Sequence, residues 1–344
     1  MTSHLGVAVI GLGVMGRTHL KAYHAAAAAG LPCRLVAVCS DDPRHLSGAP
    51  ANTGNLSAMA GAEQLFDPAT VATTTDPAAI AANPSVHVVS ICTPTDSHAT
   101  LAIQMLRAGK HVLVEKPVAV TSADVRRVVE AARDSGRTCM PAMCMRFWPG
   151  WDWLKDRVTD RAFGRVLSAT FTRVGSRPDW SRGFYHDPAR TGGAMFDLHV
   201  HDADIILWLF GPPRAVRSMG SIDHITTLYE YGDTGPRHIT AEGAWLSASG
   251  FPFRMRYTVE FENAVADWDL SRPQQLLLIR DGKAEHVPVP AESAYDREVA
   301  HFVHAVSTSA PTRATLADAA QVTALLEAEK RSLEAGRSTS INGH

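Results

Sequence analysis

Long apolar runs are missing from this 344-residue chain: the longest near its middle, Ile205 to Phe210, is far too short to cross a bilayer. An excess of charge is missing as well. With 33 Lys and Arg against 35 Asp and Glu, the formal net charge is -2, which argues against a nucleic-acid binder, because neutralising phosphates needs a basic face. No block of five or more Lys or Arg occurs, so a polybasic membrane patch is not expected. The five cysteines (Cys33, Cys39, Cys92, Cys139, Cys144) form no CxxC pair, and three of them lie in β-branched runs. The expectation is reduced core thiols of a cytoplasmic protein and not a disulfide framework. A basic leader is also missing: MTSHLGVAVIGLG runs directly into a glycine-rich turn and reads as a first strand, not a signal peptide. Charged residues make up 20% and hydrophobic ones 45%, which excludes long intrinsic disorder. A soluble protein of two domains remains, at about 100–200 residues per domain, either an enzyme or a ligand-binding relative of one.

What is present is ordered alternation. Gly6 to Ile10, Arg34 to Cys39, His87 to Cys92 and His111 to Val114 are compact, nearly continuous apolar runs, as expected of strands buried on both faces of a parallel sheet. Helical patterns lie between them at Arg17 to Ala29, Leu101 to Ala108 and Ser122 to Ser135, followed by Gly30, Gly109 and Gly136 where left-handed caps belong. The order predicts an α/β, doubly wound domain over residues 1–145. Ser47 to Gln64, rich in Ala, Ser, Gly and Asn, reads as a loop with some helix. After Pro149 the texture changes. Val166 to Val174, His238 to Trp245, Arg254 to Glu262 and Gln275 to Ile279 predict a large, mostly antiparallel open sheet in an α+β domain over 146–344. One helical island, Ala194 to Phe210, sits inside it, and Ser293 to Ser307 and Leu316 to Ala335 read as final helices. No repeat of solenoid period occurs.

Gly11-Leu12-Gly13-Val14-Met15-Gly16 is a GxGxxG turn between a strand and a helix. The first glycine suits the tight turn, the second the approach of a pyrophosphate, and the third close helix–strand contact, so a dinucleotide is expected at the helix N-terminus. The next strand ends in Cys39-Ser40-Asp41-Asp42-Pro43-Arg44. Asp41 suits the ribose of NAD, whereas Ser40 with Arg44 suits the extra phosphate of NADP. Two adjacent acids repel that phosphate and tilt the expectation slightly to NAD, although both also suit a turn before Pro43. Glu115-Lys116-Pro117 closes the fourth strand. In a doubly wound sheet this end faces the ligand crevice, so Lys116 is either a cation beside nicotinamide and substrate or a surface lysine before a turn.

The densest polar cluster runs from Gly192 to Asp204. Read as a strand, His199-x-His201 with Asp202 or Asp204 suggests a metal site. Read as a helix, Asp197, His201 and Asp204 share one face and His199 points away. The apolar continuation through Ile205, Ile206, Trp208 and Leu209 favours the helix, so no metal is expected. On a helix Asp197 lies one turn before His201 and can orient its imidazole for proton transfer; a buried capping network is the alternative.

In this order the glycine turn, Thr93-Pro94-Thr95-Asp96-Ser97-His98, Glu115-Lys116-Pro117, and Gly192-Gly193 with Asp197, His201 and Asp204 resemble the Gfo/Idh/MocA family of NAD(P)-dependent oxidoreductases. The resemblance covers nearly the whole chain. It implies a Rossmann domain followed by a domain whose sheet joins copies into a homodimer or homotetramer. It implies hydride transfer between a nicotinamide cofactor and a hydroxyl or ketone of a sugar, inositol or related polyol. Residue by residue, Lys116 matches the lysine that contacts substrate near the nicotinamide, Asp197 the substrate-binding aspartate and His201 the acid/base. Cofactor contacts extend to Val14, Met15, Thr93, Pro94, His98 and Glu115. Arg146, at the domain junction, is a substrate candidate or a structural ion-pair partner; Tyr185 and Trp180 are substrate candidates or aromatic core. His199 stands where many members have a small residue, and Ser40 where NAD-dependent members often have aspartate. Two other functions fit the same features: a glycosidase using NAD for transient oxidation, and a non-catalytic dinucleotide sensor. The latter has no need of Lys116 together with His201.

Overall fold

The computed structural model describes residues 4–49, 64–178, 183–233 and 235–341. The chain divides into two compact units, Met1–Phe147 with Glu292–Ala320, and Trp148–Ala291 with Gln321–His344.

In the first unit, β1 (Leu5–Ile10), β2 (Cys33–Cys39), β3 (Ala72–Thr74), β4 (Val88–Ile91), β5 (His111–Glu115) and β6 (Cys139–Ala142) pair in the order β3-β2-β1-β4-β5-β6. Every pairing is parallel. Nearly every residue of β1, β4, β5 and β6 is buried, because helices cover both faces; that is why these strands read as unbroken apolar runs. The helices are α1 (Val14–Ala28), α2 (Pro77–Ala82), α3 (Thr95–Arg107) and α4 (Ser122–Ser135). α4 has the expected limits, with the Thr121 hydroxyl accepting from the Asp124 amide and Gly136 left-handed at the far end (φ 63°). α1 and α3 begin earlier than the sequence suggested, α1 inside the glycine turn and α3 directly after Pro94, with Asp96 in its first turn where the helix dipole favours an acid. Sheet order reverses at β1, which has β2 on one side and β4 on the other, so the glycine turn stands at the switch point where such sheets bind ligands. Most of Ser47 to Gln64 lies outside the described residues.

The second unit holds α5 (Trp151–Asp160), β7 (Val166–Ser176), α6 (Pro188–Thr191), α7 (Val200–Phe210), β8 (Ala215–Ser221), β9 (His224–Glu230), β10 (His238–Leu246) and β11 (Arg254–Phe261). It continues through β12 (Val265–Asp269), β13 (Leu276–Arg280), β14 (Lys283–His286) and β15 (Thr339–Ser340). These make a nine-stranded sheet in the order β14-β13-β12-β11-β7-β10-β9-β8-β15. All neighbours are antiparallel except β7 and β10, which run parallel at the centre. β11 alternates strictly: Met255, Tyr257, Val259 and Phe261 are buried, while Arg254, Arg256, Thr258 and Glu260 are exposed. Trp151 packs edge-on against Tyr257 (5.1 Å) and Trp268 (5.6 Å) beneath the sheet.

Two long helices lie between β14 and β15. α8 (Ala294–Thr308) belongs to the first unit and packs along α1. α9 (Leu316–Ala335) begins in the first unit and continues in the second. All five cysteines are buried and none forms a disulfide, and among the described residues no helix is long and apolar enough to cross a membrane.

Candidate active site

The three glycines of the turn meet three different constraints. Gly11 has φ 87°, and a Cβ there would lie 2.6 Å from the Cys92 carbonyl oxygen. At Gly16 a Cβ would lie 1.8 Å from the Gly11 carbonyl oxygen, so α1 can sit this close only without a side chain. Gly13 is different: a Cβ there meets nothing within 4 Å. Gly13 is also the N-cap of α1, has no side chain to cap with, and precedes a first turn without any acid. The open amides of that turn, which includes Val14 and Met15, and the positive helix end together suit a pyrophosphate. The residues therefore fit a dinucleotide.

At the end of β2 the adjacent acids separate. Asp42 is buried, caps the short turn Pro43–Ser47 through the Arg44 amide (3.1 Å), and takes the Arg44 guanidinium on both oxygens (2.9 and 2.6 Å). That guanidinium holds the Asp42 carboxyl well below the usual carboxylate range. Ser40 is buried, its hydroxyl accepting from the Asp42 amide (3.3 Å). Asp41 is exposed. Both groups proposed for an extra phosphate, Ser40 and Arg44, are thus engaged locally.

Lys116 follows β5 and is half-buried; the Lys116–Pro117 peptide is cis. Its neighbour Glu115 is buried, with one carboxylate oxygen 3.1 Å from His19 Nε2 and the other accepting from the Lys116 amide at 3.1 Å. Burial raises the Glu115 pKa, but the His19 contact and nearby positive charge outweigh it, so the net shift is downward. His98, on α3, is also buried, with Nδ1 2.8 Å from the Pro117 carbonyl oxygen and Nε2 2.8 Å from that of Thr93. The side chains of Glu115 and His98 therefore brace the loops after β4 and β5 from within. Thr93 also shares a short hydroxyl contact with Ser97 (2.6 Å), at the Pro94 start of α3.

In the second unit the segment bearing Asp197, His199 and His201 is helical, not a strand. Met195–His199 forms a single wide π-turn that runs directly into α7; such turns are frequent at functional sites. Asp197 is half-buried, whereas His201 and Asp204 are buried. His199 is fully enclosed, with Nε2 2.8 Å from Glu329 of α9 and 3.1 Å from the Tyr229 hydroxyl. Gly243 of β10 makes room for it: a Cβ there would lie 2.6 Å from the His199 Cβ. Asp202 is equally enclosed, held on both oxygens by Arg173 of β7 (3.1 and 3.0 Å). Among the described residues no group of three or more His, Cys, Asp or Glu is placed to hold a metal ion.

Residues 5–143 match the model of an oxidoreductase family with an NAD-binding Rossmann fold, and residues 151–266 match the GFO/IDH/MocA C-terminal domain. The chain belongs to the Gfo/Idh/MocA family of oxidoreductases. Among curated members, levoglucosan dehydrogenase of Pseudarthrobacter phenanthrenivorans is 31% identical over 228 residues, covering 63% of this chain and 54% of that protein. Trans-1,2-dihydrobenzene-1,2-diol dehydrogenase of Oryctolagus cuniculus is 33% identical over 166 residues, 44% of this chain and 48% of its own. The chain thus spans about half the length of these relatives. Inositol 2-dehydrogenase of Rhizobium meliloti is 26% identical over 359 residues, 99% of this chain and all of that one (100%). A solved levoglucosan dehydrogenase in complex with NADH and levoglucosan superposes with a TM-score of 0.82 at 20% identity, covering 98% of this chain and 100% of that one. At that identity the likeness shows the fold alone.

Within this Gfo/Idh/MocA chain, Arg146 is buried and its Nη1 lies 3.1 Å from both Asp318 and the Arg313 carbonyl oxygen. The structure therefore gives Arg146 a structural ion pair. Tyr185 is half-buried, its ring edge-on to Trp245 at 5.4 Å; Trp180 lies outside the described residues. Sequence reasoning missed His19, Arg173 and Glu329. A charged or imidazole side chain at a core position of an otherwise apolar pattern was the available signal, since such groups stay buried only when paired.

Proposed function

We propose that this chain is an NAD-dependent dehydrogenase acting on a hydroxyl of a sugar, inositol or related polyol, as the names of its relatives suggest. The observation that carries the reading is the dinucleotide cradle at Gly13, open and uncapped; the resemblance adds Lys116 and His201 as the matching lysine and acid/base. The exposed Asp41 suits a ribose diol, and the locked Asp42–Arg44 pair is a poor phosphate receptor, which favours NAD over NADP. When bound, the nicotinamide supplies the hydride chemistry. The protein's own groups handle the proton and the charge. His201 accepts the hydroxyl proton, Asp197 orients the substrate, and the Lys116 ammonium stabilises negative charge on the oxygen as the carbonyl forms. Five buried cysteines, none in a disulfide, suit a reducing, cytoplasmic compartment, and the sheet face that carries Arg254, Arg256, Thr258 and Glu260 is our candidate surface for a homodimer or homotetramer.

A screen of sugars, sugar acids and inositols with NAD and NADP, followed at the nicotinamide absorbance, tests the reading. With a turned-over substrate, His201→Ala and Lys116→Ala each lower kcat by about 100-fold or more. Net hydride transfer that survives both substitutions would sink the assigned chemistry.

A further inference from the structure

The residues on either side of Lys116 in the chain are each held by a buried histidine: Glu115 by His19 and Pro117 by His98. On one side a chain of hydrogen bonds runs from α1 to the Lys116 amide. An ionised Glu115 only accepts, so His19 Nε2 carries the hydrogen of their 3.1 Å contact. His19 Nδ1 lies 3.2 Å from the Ser90 hydroxyl, which in turn lies 2.9 Å from that of Tyr23. The far oxygen of Glu115 accepts the Lys116 amide. On the other side, His98 reaches the carbonyl of Pro117 with Nδ1 and that of Thr93 with Nε2. His19 and His98 are 0% and 1% exposed.

We propose that His19, acting through Glu115, and His98 are positioning residues that clamp the Glu115-Lys116-Pro117 turn from both sides and so fix where the Lys116 ammonium meets the substrate oxygen. The inference rests on the reading of Lys116 given above. Such a clamp is physically reasonable because a half-buried lysine has a flexible four-carbon stem. A fixed backbone anchor removes one source of misplacement, and small misplacements are costly in a transfer step.

The two histidines face the turn with opposite nitrogens, which makes a crossed test possible. Asparagine places its amide nitrogen where histidine has Nδ1; glutamine places it where histidine has Nε2. His19→Gln and His98→Asn therefore keep the contact toward the turn, whereas His19→Asn and His98→Gln lose it. Amide hydrogen exchange of Lys116 in the full chain is measured for all four variants, relative to Val89 in β4, so that a general loss of stability moves both amides. Exchange at Lys116 is expected to rise about tenfold in His19→Asn and His98→Gln, the loss of one hydrogen bond, and to stay near the wild-type rate in the other two. The same order at both sites, or no order, overturns the clamp, because filling space in the core does not distinguish the two nitrogens.

With a substrate from the screen, the two loosened variants should lose kcat about tenfold with an unchanged KM for NAD. That loss should vanish in a Lys116→Ala background. An equal loss in that background overturns the clamp and leaves the Lys116 assignment standing. Full activity of Lys116→Ala alone overturns that assignment, while the exchange result still reports on the clamp.

Discussion

Asp41 and Asp42 are adjacent and chemically alike, yet the structure separates them completely. Asp42 turns inward to cap a turn and hold Arg44, while Asp41 stays exposed at the carboxyl end of β2. A hydrogen bond from a ribose hydroxyl to a carboxylate contributes roughly 1.5–3 kcal/mol. Asp41→Ala should accordingly raise the KM for NAD about tenfold or more and narrow the preference over NADP, which steady-state kinetics with both coenzymes will show. An unchanged ratio of the two kcat/KM values would assign the choice elsewhere. The neighbouring Asp42→Ala should act differently, releasing Arg44 and improving use of NADP. The sequence pointed to Asp41 for the ribose but left both acids suited to a turn, because which one faces outward depends on the turn that Pro43 starts. Arg146 was equally ambiguous: its type and place suited either a substrate or an ion pair, and its contact with Asp318 supplies the pair.

At the scale of the element, the glycine turn was legible from spacing alone, because each glycine answers a local requirement of backbone or close approach. Its three positions nevertheless differ in what they tolerate. Gly13→Ala should leave the fold intact at a cost of about 1 kcal/mol for the poorer cap, yet weaken dinucleotide binding strongly. Gly16→Ala should destabilise the protein by about 3 kcal/mol, the upper range for overpacking, since its Cβ would meet the Gly11 carbonyl oxygen. Thermal melts and NADH fluorescence titration separate the two effects; equal loss of stability in both variants would contradict the open cradle. The parallel strands were also legible, since burial on both faces writes itself as continuous apolar sequence. The hairpin of β8 and β9 was not. AVRSMGS carries serine and glycine where a strand pattern needs bulk, and β8 owes its place to pairing with β9 and β15. The π-turn at Met195–His199 was equally invisible, because one widened turn does not disturb an apolar stripe.

At the scale of the whole molecule, buried charge binds distant parts of the chain. His199 and Glu329 are 130 residues apart and both fully enclosed. Burial pushes the His199 pKa down, but the charge and hydrogen bond of Glu329 outweigh it, and the net shift is upward. A group raised in the folded state adds stability that is fully present below its unfolded pKa, about 6.5. That stability is lost as pH rises through the higher folded value. Melts from pH 6 to 9 should therefore show the wild type losing stability more steeply than His199→Gln, which has no titrating ring. Parallel slopes would contradict the charged pair. The sequence by itself determined the alternating α/β half, the dinucleotide turn and the two long C-terminal helices, which follow from local periodicity and steric need. Only the tertiary structure decided that β7 and β10 run parallel, that α8 belongs with the first unit, and that His199 is a core brace while Asp41 is exposed. These outcomes turn on which partners meet across long stretches of chain, and a buried polar group takes its role from the partner that satisfies it.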